Sequence, residues 1–174
     1  LGDVYKRQAQ VMALRTYTDS EYLLLATRNG LVKKTRLSEY DSPRSGGLIA
    51  VNLRDGDELV GAGLATHDDD VLLVSRKGQA VRFAATDDSL RPMGRSTSGV
   101  TGMKFREGDE LLSMNVVPKG ANEVERGADE KLCVFVVFEN GLAKRTPVEE
   151  YPTKGRATLG VKVATISELS LIHI

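Results

Sequence analysis

Leu23-Leu24-Leu25-Ala26-Thr27-Arg28-Asn29-Gly30-Leu31-Val32-Lys33-Lys34-Thr35 is the stretch that decides the fold. An apolar run meets a turn ending in Gly, and a second run follows with a base four residues beyond that Gly. Asn-Gly between two apolar runs is the strongest short-range hairpin signal, and a two-residue type I′ turn needs positive φ at both positions. The same pattern returns at Val71–Phe83, around Lys77-Gly78, and at Val134–Thr146, around Asn140-Gly141. The sequence predicts three β-hairpins, with type I′ turns at Asn29-Gly30 and Asn140-Gly141.

Each hairpin precedes a second shared element. Gly47–Leu59 matches Gly99–Leu111, and Gly160–Ile166 begins a third copy. The spacing from turn Gly to this second Gly is 17, 21 and 19 residues, so the linking loops vary and the strands do not. Self-similarity with four strands per unit predicts an all-β, propeller-like architecture of about three blades. The expected repeats are 21–68, 69–128 and 129–168. Further strands are expected at Ala9–Tyr17, Leu48–Leu53 and Val100–Phe105, with returns at Glu58–Leu64 and Leu111–Val117. Pro118–Glu130 reads as an exposed polar insertion. Helical periodicity is almost absent. The near-continuous apolar runs suit strands covered on both faces.

The ends stand apart from this pattern. The codons GAT GTG TAT AAG AGA CAG encode Asp3–Gln8, and their reverse complement encodes Leu169–Ile174. This is the signature of a transposon-end sequencing adapter, and Leu1-Gly2 fits the adjoining bases. Residues 1–8 and 169–174 are therefore expected to be non-native tags, and 9–168 the authentic piece of a longer protein.

Charge is balanced, 24 basic residues against 24 acidic. Bulk charge supplies no nucleic-acid affinity, so any such role needs bases clustered on one face. The single cysteine, Cys133, lies in an apolar run and reads as a small buried hydrophobe in a reducing compartment. The longest apolar run, Leu132–Phe138, is too short to span a membrane. A cytoplasmic location is expected. Asp68-Asp69-Asp70 reads as a solvated turn, and His67, with no partner in the sequence, as a surface residue. No triad, carboxylate pair or phosphate loop is visible, so no catalytic, metal or cofactor site is expected.

Bases in register are the functional candidates. Lys34, Arg82 and Arg145 occupy one hairpin position, with Lys33 and Lys144 beside two of them. Stacked blades would align them along a rim able to track a phosphate backbone. Gly94–Gly99 and Gly155–Gly160 share Gly-Arg-x-Thr-x-Gly, contributing Arg95 and Arg156, and Arg44-Ser45-Gly46-Gly47 is a shorter cousin. Small residues and an Arg fork suit phosphate. Arg36, Arg91 and Lys154 complete the set assigned to DNA. No aromatic alternates with these bases, which favours duplex over single strands.

At Leu25–Lys34, Arg44–Gly47, Leu90–Arg95 and Ala143–Thr146 the sequence resembles the C-terminal domain of the DNA gyrase A protein, across essentially all of 9–168. The resemblance implies a β-pinwheel, whose blades exchange strands with their neighbours. It implies a non-catalytic module that wraps double-stranded DNA so that strand passage introduces negative supercoils. It also implies a bacterial, nucleoid-associated setting. ATP and Mg²⁺ chemistry, a second gyrase A protein and the gyrase B subunit would engage other domains of that enzyme. The family's Gln-Arg-Arg-Gly-Gly-Lys-Gly box is not present. Lys154–Gly160 is the nearest stretch, keeping its third-position Arg and last Gly. The alternatives are the corresponding subunit of topoisomerase IV and a protein-binding propeller. The family's active-site tyrosine lies upstream, and no tyrosine here inherits its role.

Overall fold

The computed structural model describes residues 8–43, 45–120 and 131–163. Ten strands are present among them: β1 (Tyr22–Thr27), β2 (Leu31–Arg36), β3 (Leu59–Ala65), β4 (Asp70–Ser75), β5 (Gln79–Ala84), β6 (Val100–Thr101), β7 (Leu111–Val117), β8 (Cys133–Val137), β9 (Ala143–Pro147) and β10 (Val161–Lys162). Two short 3₁₀ turns, Leu37–Tyr40 and Val148–Glu150, follow β2 and β9.

The sheets are assembled out of chain order. The first runs β3-β1-β2-β6 and the second β10-β5-β4-β7, while β8 and β9 pair with each other. Each four-stranded blade is thus completed by a short strand from the following repeat. Val100 pairs with Val32, and Val161 pairs with Ala80. Gly99 and Gly160 stand where the incoming strand crosses, at φ +88° and +76°. A Cβ at Gly99 would lie 2.5 Å from the Val32 carbonyl oxygen. Only glycine admits this crossing.

The three hairpins form where the sequence places them, with a different turn. Ala26 pairs with Val32, Val74 with Ala80 and Val137 with Ala143, and tight glycine loops join them. The Gly30, Gly78 and Gly141 amides donate to Thr27, Ser75 and Phe138. Glycine alone takes positive φ in each loop. This is the type I turn with a left-handed glycine bulge, so type I′ at Asn29-Gly30 and Asn140-Gly141 is corrected. Lys77, at the position of Asn29, needs no positive φ.

β1 is buried along its whole length, and β4 along all but its first residue. Leu24, Val32, Leu73, Val81, Phe83, Leu90, Met103 and Leu111 share one core between the two blades. A second core joins β4 to the third hairpin through Leu72, Val148 and Tyr151. Each fully buried aliphatic side chain contributes about 1.5–3 kcal/mol.

Two expected strands do not form. Ala9–Tyr17 is irregular and mostly exposed. Leu48–Leu53 is also irregular, with Ile49 68% exposed. It matches the segment holding β6, but the described residues contain no preceding hairpin to receive it. The strand expected at Val100–Phe105 is only Val100–Thr101, continued by a bridge from Met103 to Thr158. Cys133 is partly exposed and its thiol reaches the Lys131 carbonyl, so it is not the buried group expected. His67 is half-exposed, and its ring lies 3.4 Å from Asp87. Most of the insertion, 121–130, lies outside the described residues.

Candidate nucleic-acid interface

Two of the three bases at the recurring hairpin position, Lys34 and Arg82, are engaged inside the protein, while Arg145 is exposed. Lys34 is fully buried. Its ammonium donates to the Ala85 carbonyl at 2.6 Å and to Asp87 Oδ1 at 2.7 Å, and lies 4.4 Å from the Tyr22 ring centroid. The same contact holds the Asp87 carboxyl below its ordinary range. Arg82 Nε donates to Asp70, and its Nη1 to the Val148 and Tyr151 carbonyls. Lys33 is buried as well, donating to the Ala50 carbonyl at 2.8 Å and to the Arg95 carbonyl. Burial pushes its pKa down to about 8; the Arg95 guanidinium adds to the fall and Glu39 opposes it. Arg156 bonds the Ser89 and Thr101 carbonyls. These four expected DNA contacts have their polar groups engaged inside the protein. Sequence periodicity located them but could not show that the neighbouring repeat covers them.

The remaining candidates differ. Arg36, Arg91, Lys144, Arg145 and Lys154 are exposed, and Arg95 is partly so. Arg36 lies over Tyr22 at 5.6 Å. Arg44 lies outside the described residues.

The exchanged segments create a different surface. The Asn52 amide donates to the Thr97 carbonyl, and the Lys104 amide donates to the Thr158 carbonyl. Counted from Gly47, Gly99 and Gly160, these are the same contact made twice. Successive segments therefore join into a belt along the outer edges of the blades. Residues 42–54, 91–106 and 152–163 carry nine bases and no acid, on a chain with no net formal charge. Arg91, Lys104, Arg106, Lys154 and Lys162 are exposed there, and their side chains make no hydrogen bond or ion pair among the described residues. Lys104, Arg106 and Lys162 are additions to the bases that sequence recurrence picks out, although the acid-free composition of the segments was legible.

Two groups of acids, within Asp55–Glu58 and Glu107–Glu110, lie at the hairpin-turn end. Asp57 accepts from the Asn29 amide and Asp109 from the Lys77 amide, again one contact in two copies. Glu110 pairs with Arg76 at 2.7 Å and with Arg28 at 3.7 Å. Arg28 also pairs with Glu58 at 3.3 Å, so part of the charge at that end is paired within the protein. Asp69 is buried and accepts from the Thr66 and Lys119 amides, and Asp70 opens β4, so the run expected as a solvated turn is in large part built into the fold. Among the described residues no group of three His, Cys, Asp or Glu is placed to hold a metal, and no helix is long and apolar enough to cross a membrane.

Antiparallel four-stranded blades, each closed by a strand from the next repeat, define a strand-exchanged propeller-like repeat protein. The family described as DNA gyrase C-terminal domain, beta-propeller, matches residues 21–65, 69–118 and 139–168, and the chain belongs to this family. It is 57% identical over 156 residues to the DNA gyrase A protein of Mycobacterium bovis (strain BCG), covering 90% of this chain and 17% of that protein. The fold is similar to a crystal structure of the C-terminal domain of DNA topoisomerase IV, with TM-score 0.72 and 28% identity over 86% of this chain and 43% of the other. It is also similar to a DNA gyrase A C-terminal domain, with TM-score 0.67 and 28% identity over 84% of this chain and 44% of the other. The two folds barely separate the alternatives, and sequence identity places the chain with gyrase.

Proposed function

We propose that the belt of exchanged segments binds the backbone of double-stranded DNA and wraps it, as a non-catalytic module of a bacterial type II topoisomerase of the gyrase A kind. The observation carrying this reading is the exclusion of acids from 42–54, 91–106 and 152–163 on a chain with no net charge. Phosphate tracking needs local positive charge and no base readout. Bending a duplex of 20–30 base pairs costs about 1–6 kcal/mol, so many modest contacts must share the work. In this reading the wrap directs negative supercoiling. The ATP and Mg²⁺ chemistry, a second gyrase A protein and the gyrase B subunit belong to other parts of the whole enzyme, in the bacterial cytoplasm and nucleoid. The piece itself needs no cofactor.

The test is duplex binding by the chain across a salt series. Neutralising Arg91, Lys104 and Lys154 together should weaken all sequences alike and reduce the slope of log affinity against log salt by about three. A binding slope unaffected by the triple change would refute the belt as the contact surface. Salt-insensitive binding to a protein, with none to duplex, would favour a protein-binding propeller.

A further inference from the structure

Lys34 and Arg82 make the same pair of contacts in successive blades. Through the side chain, each donates to the carbonyl seven residues past the turn glycine of the next repeat, which is Ala85 or Val148. Through its own carbonyl, each accepts from an amide six residues before the second glycine of that repeat: Met93 to Lys34 at 2.7 Å, and Lys154 to Arg82 at 2.8 Å. One residue thus grips the incoming segment at two points. Those grips bracket 85–93 in one repeat and 148–154 in the next. In the second repeat Arg91 lies between the grips, with Arg95 just beyond them. In the third, Lys154 is itself gripped. Acids anchor the arrangement locally, Asp87 on Lys34 and Asp70 on Arg82, with Thr153 also donating to Asp70. A flexible base suits this task because it reaches a carbonyl across a blade boundary and keeps that buried oxygen satisfied. Arg145 holds the same register and is exposed.

We propose that Lys34 and Arg82 are positioning residues, which staple the basic segment of the next repeat to the outer edge of their own blade and hold its bases for DNA without touching DNA themselves. This rests on the reading of the belt as the DNA-facing surface. It separates two kinds of base that recur with similar regularity. Bases on the hairpins set the shape of the belt, and bases on the belt meet the phosphates.

The test combines amide exchange on the free chain with duplex binding across salt. Lys34→Met should speed exchange of the Met93 amide at least tenfold, while the Leu24 amide stays protected. Duplex affinity at fixed salt should fall about tenfold, the order expected when backbone must be re-fixed on binding. The salt slope should stay that of the parent, because no phosphate contact is removed. Arg82→Met should do the same to the Lys154 amide, and Arg82→Lys should restore much of the protection. If Lys34→Met does not fold, the Arg82 pair decides the matter alone, since that side chain is only partly buried. Unchanged exchange at Met93 and Lys154 overturns the staple. So does a slope reduced by about one with exchange unchanged, which would make the residue a direct phosphate contact. Binding indifferent to Lys154→Ala, Arg91→Ala and Lys104→Ala would overturn the DNA-facing reading, and with it this role. The amide data identify which of the two has failed.

Discussion

Gly99→Ala should be far more damaging than Gly47→Ala, although the two glycines occupy the same repeat position and take φ +88° and +80°. At Gly47 a Cβ meets nothing within 4 Å. The cost there is the left-handed backbone alone, about 1–2 kcal/mol, less roughly 0.4–1 kcal/mol regained from the stiffer unfolded chain. The net loss is about 1 kcal/mol. At Gly99 the Cβ would stand 2.5 Å from the Val32 carbonyl oxygen and 3.2 Å from the Lys33 Cβ. The incoming segment must retreat by roughly 1 Å, and overpacking of this kind costs about 1–3 kcal/mol. Retreat also strains the amides of Gly102 and Met103, which donate to the Gly30 carbonyl at 2.8 and 3.2 Å. Each such bond is worth about 0.5–1.5 kcal/mol. Gly99→Ala should therefore lose about 3–5 kcal/mol. Urea unfolding reads both variants as a shift in midpoint at constant slope. Equal losses at the two positions would refute the exchange crossing as the reason for glycine.

Lys33 gives a pH signature: its folded pKa, about 8, lies below the unfolded value. Between about pH 8 and 10.5 the unfolded chain holds the extra proton, so the stability of the parent relative to Lys33→Met should rise across that window. A flat difference would deny the burial of that charge. Asp87 gives a rise of the same sign at low pH: its depressed carboxyl stabilises the fold above the ordinary carboxylate range, and this is lost as pH falls through the folded value. Asp87→Asn should therefore reduce the acid sensitivity of unfolding, measured as midpoint against pH between about 5 and 2, the span around ordinary carboxylates. Removing 1–8 and 169–174 should change stability by less than about 0.5 kcal/mol, and a large drop in Tm would count against their being adapter tags.

The hairpins were legible because apolar runs broken by a glycine turn encode them locally. Their loop type was not, since Asn-Gly serves both two-residue and longer loops and register decides between them. Lys77 carried the missing hint, as a residue ill suited to positive φ. The recurrence of Lys34 and Arg82 was also legible, but their burial was not. It depends on a distant part of the chain, Ala85 for Lys34 and Val148 for Arg82, which no local periodicity reports. Leu48–Leu53 shows the same limit from the other side: its strand-like composition is real, but a strand needs a host edge. The belt was readable in principle from where acids are missing, a signal weaker to the eye than bases that recur in register.

Because β6 completes the sheet begun by β1 and β2, the first blade stays unfinished until Val100 has been made. The β1–β2 hairpin is complete by Arg36. At about 5–20 residues per second, synthesis of the intervening chain takes on the order of three to thirteen seconds. Throughout that wait the edge of β2 near Val32 is unpaired and open to any extended segment nearby. The second blade repeats the delay, waiting from β5 to β10. Folding on the ribosome therefore runs one repeat behind translation, and the most recent hairpin is always the vulnerable one.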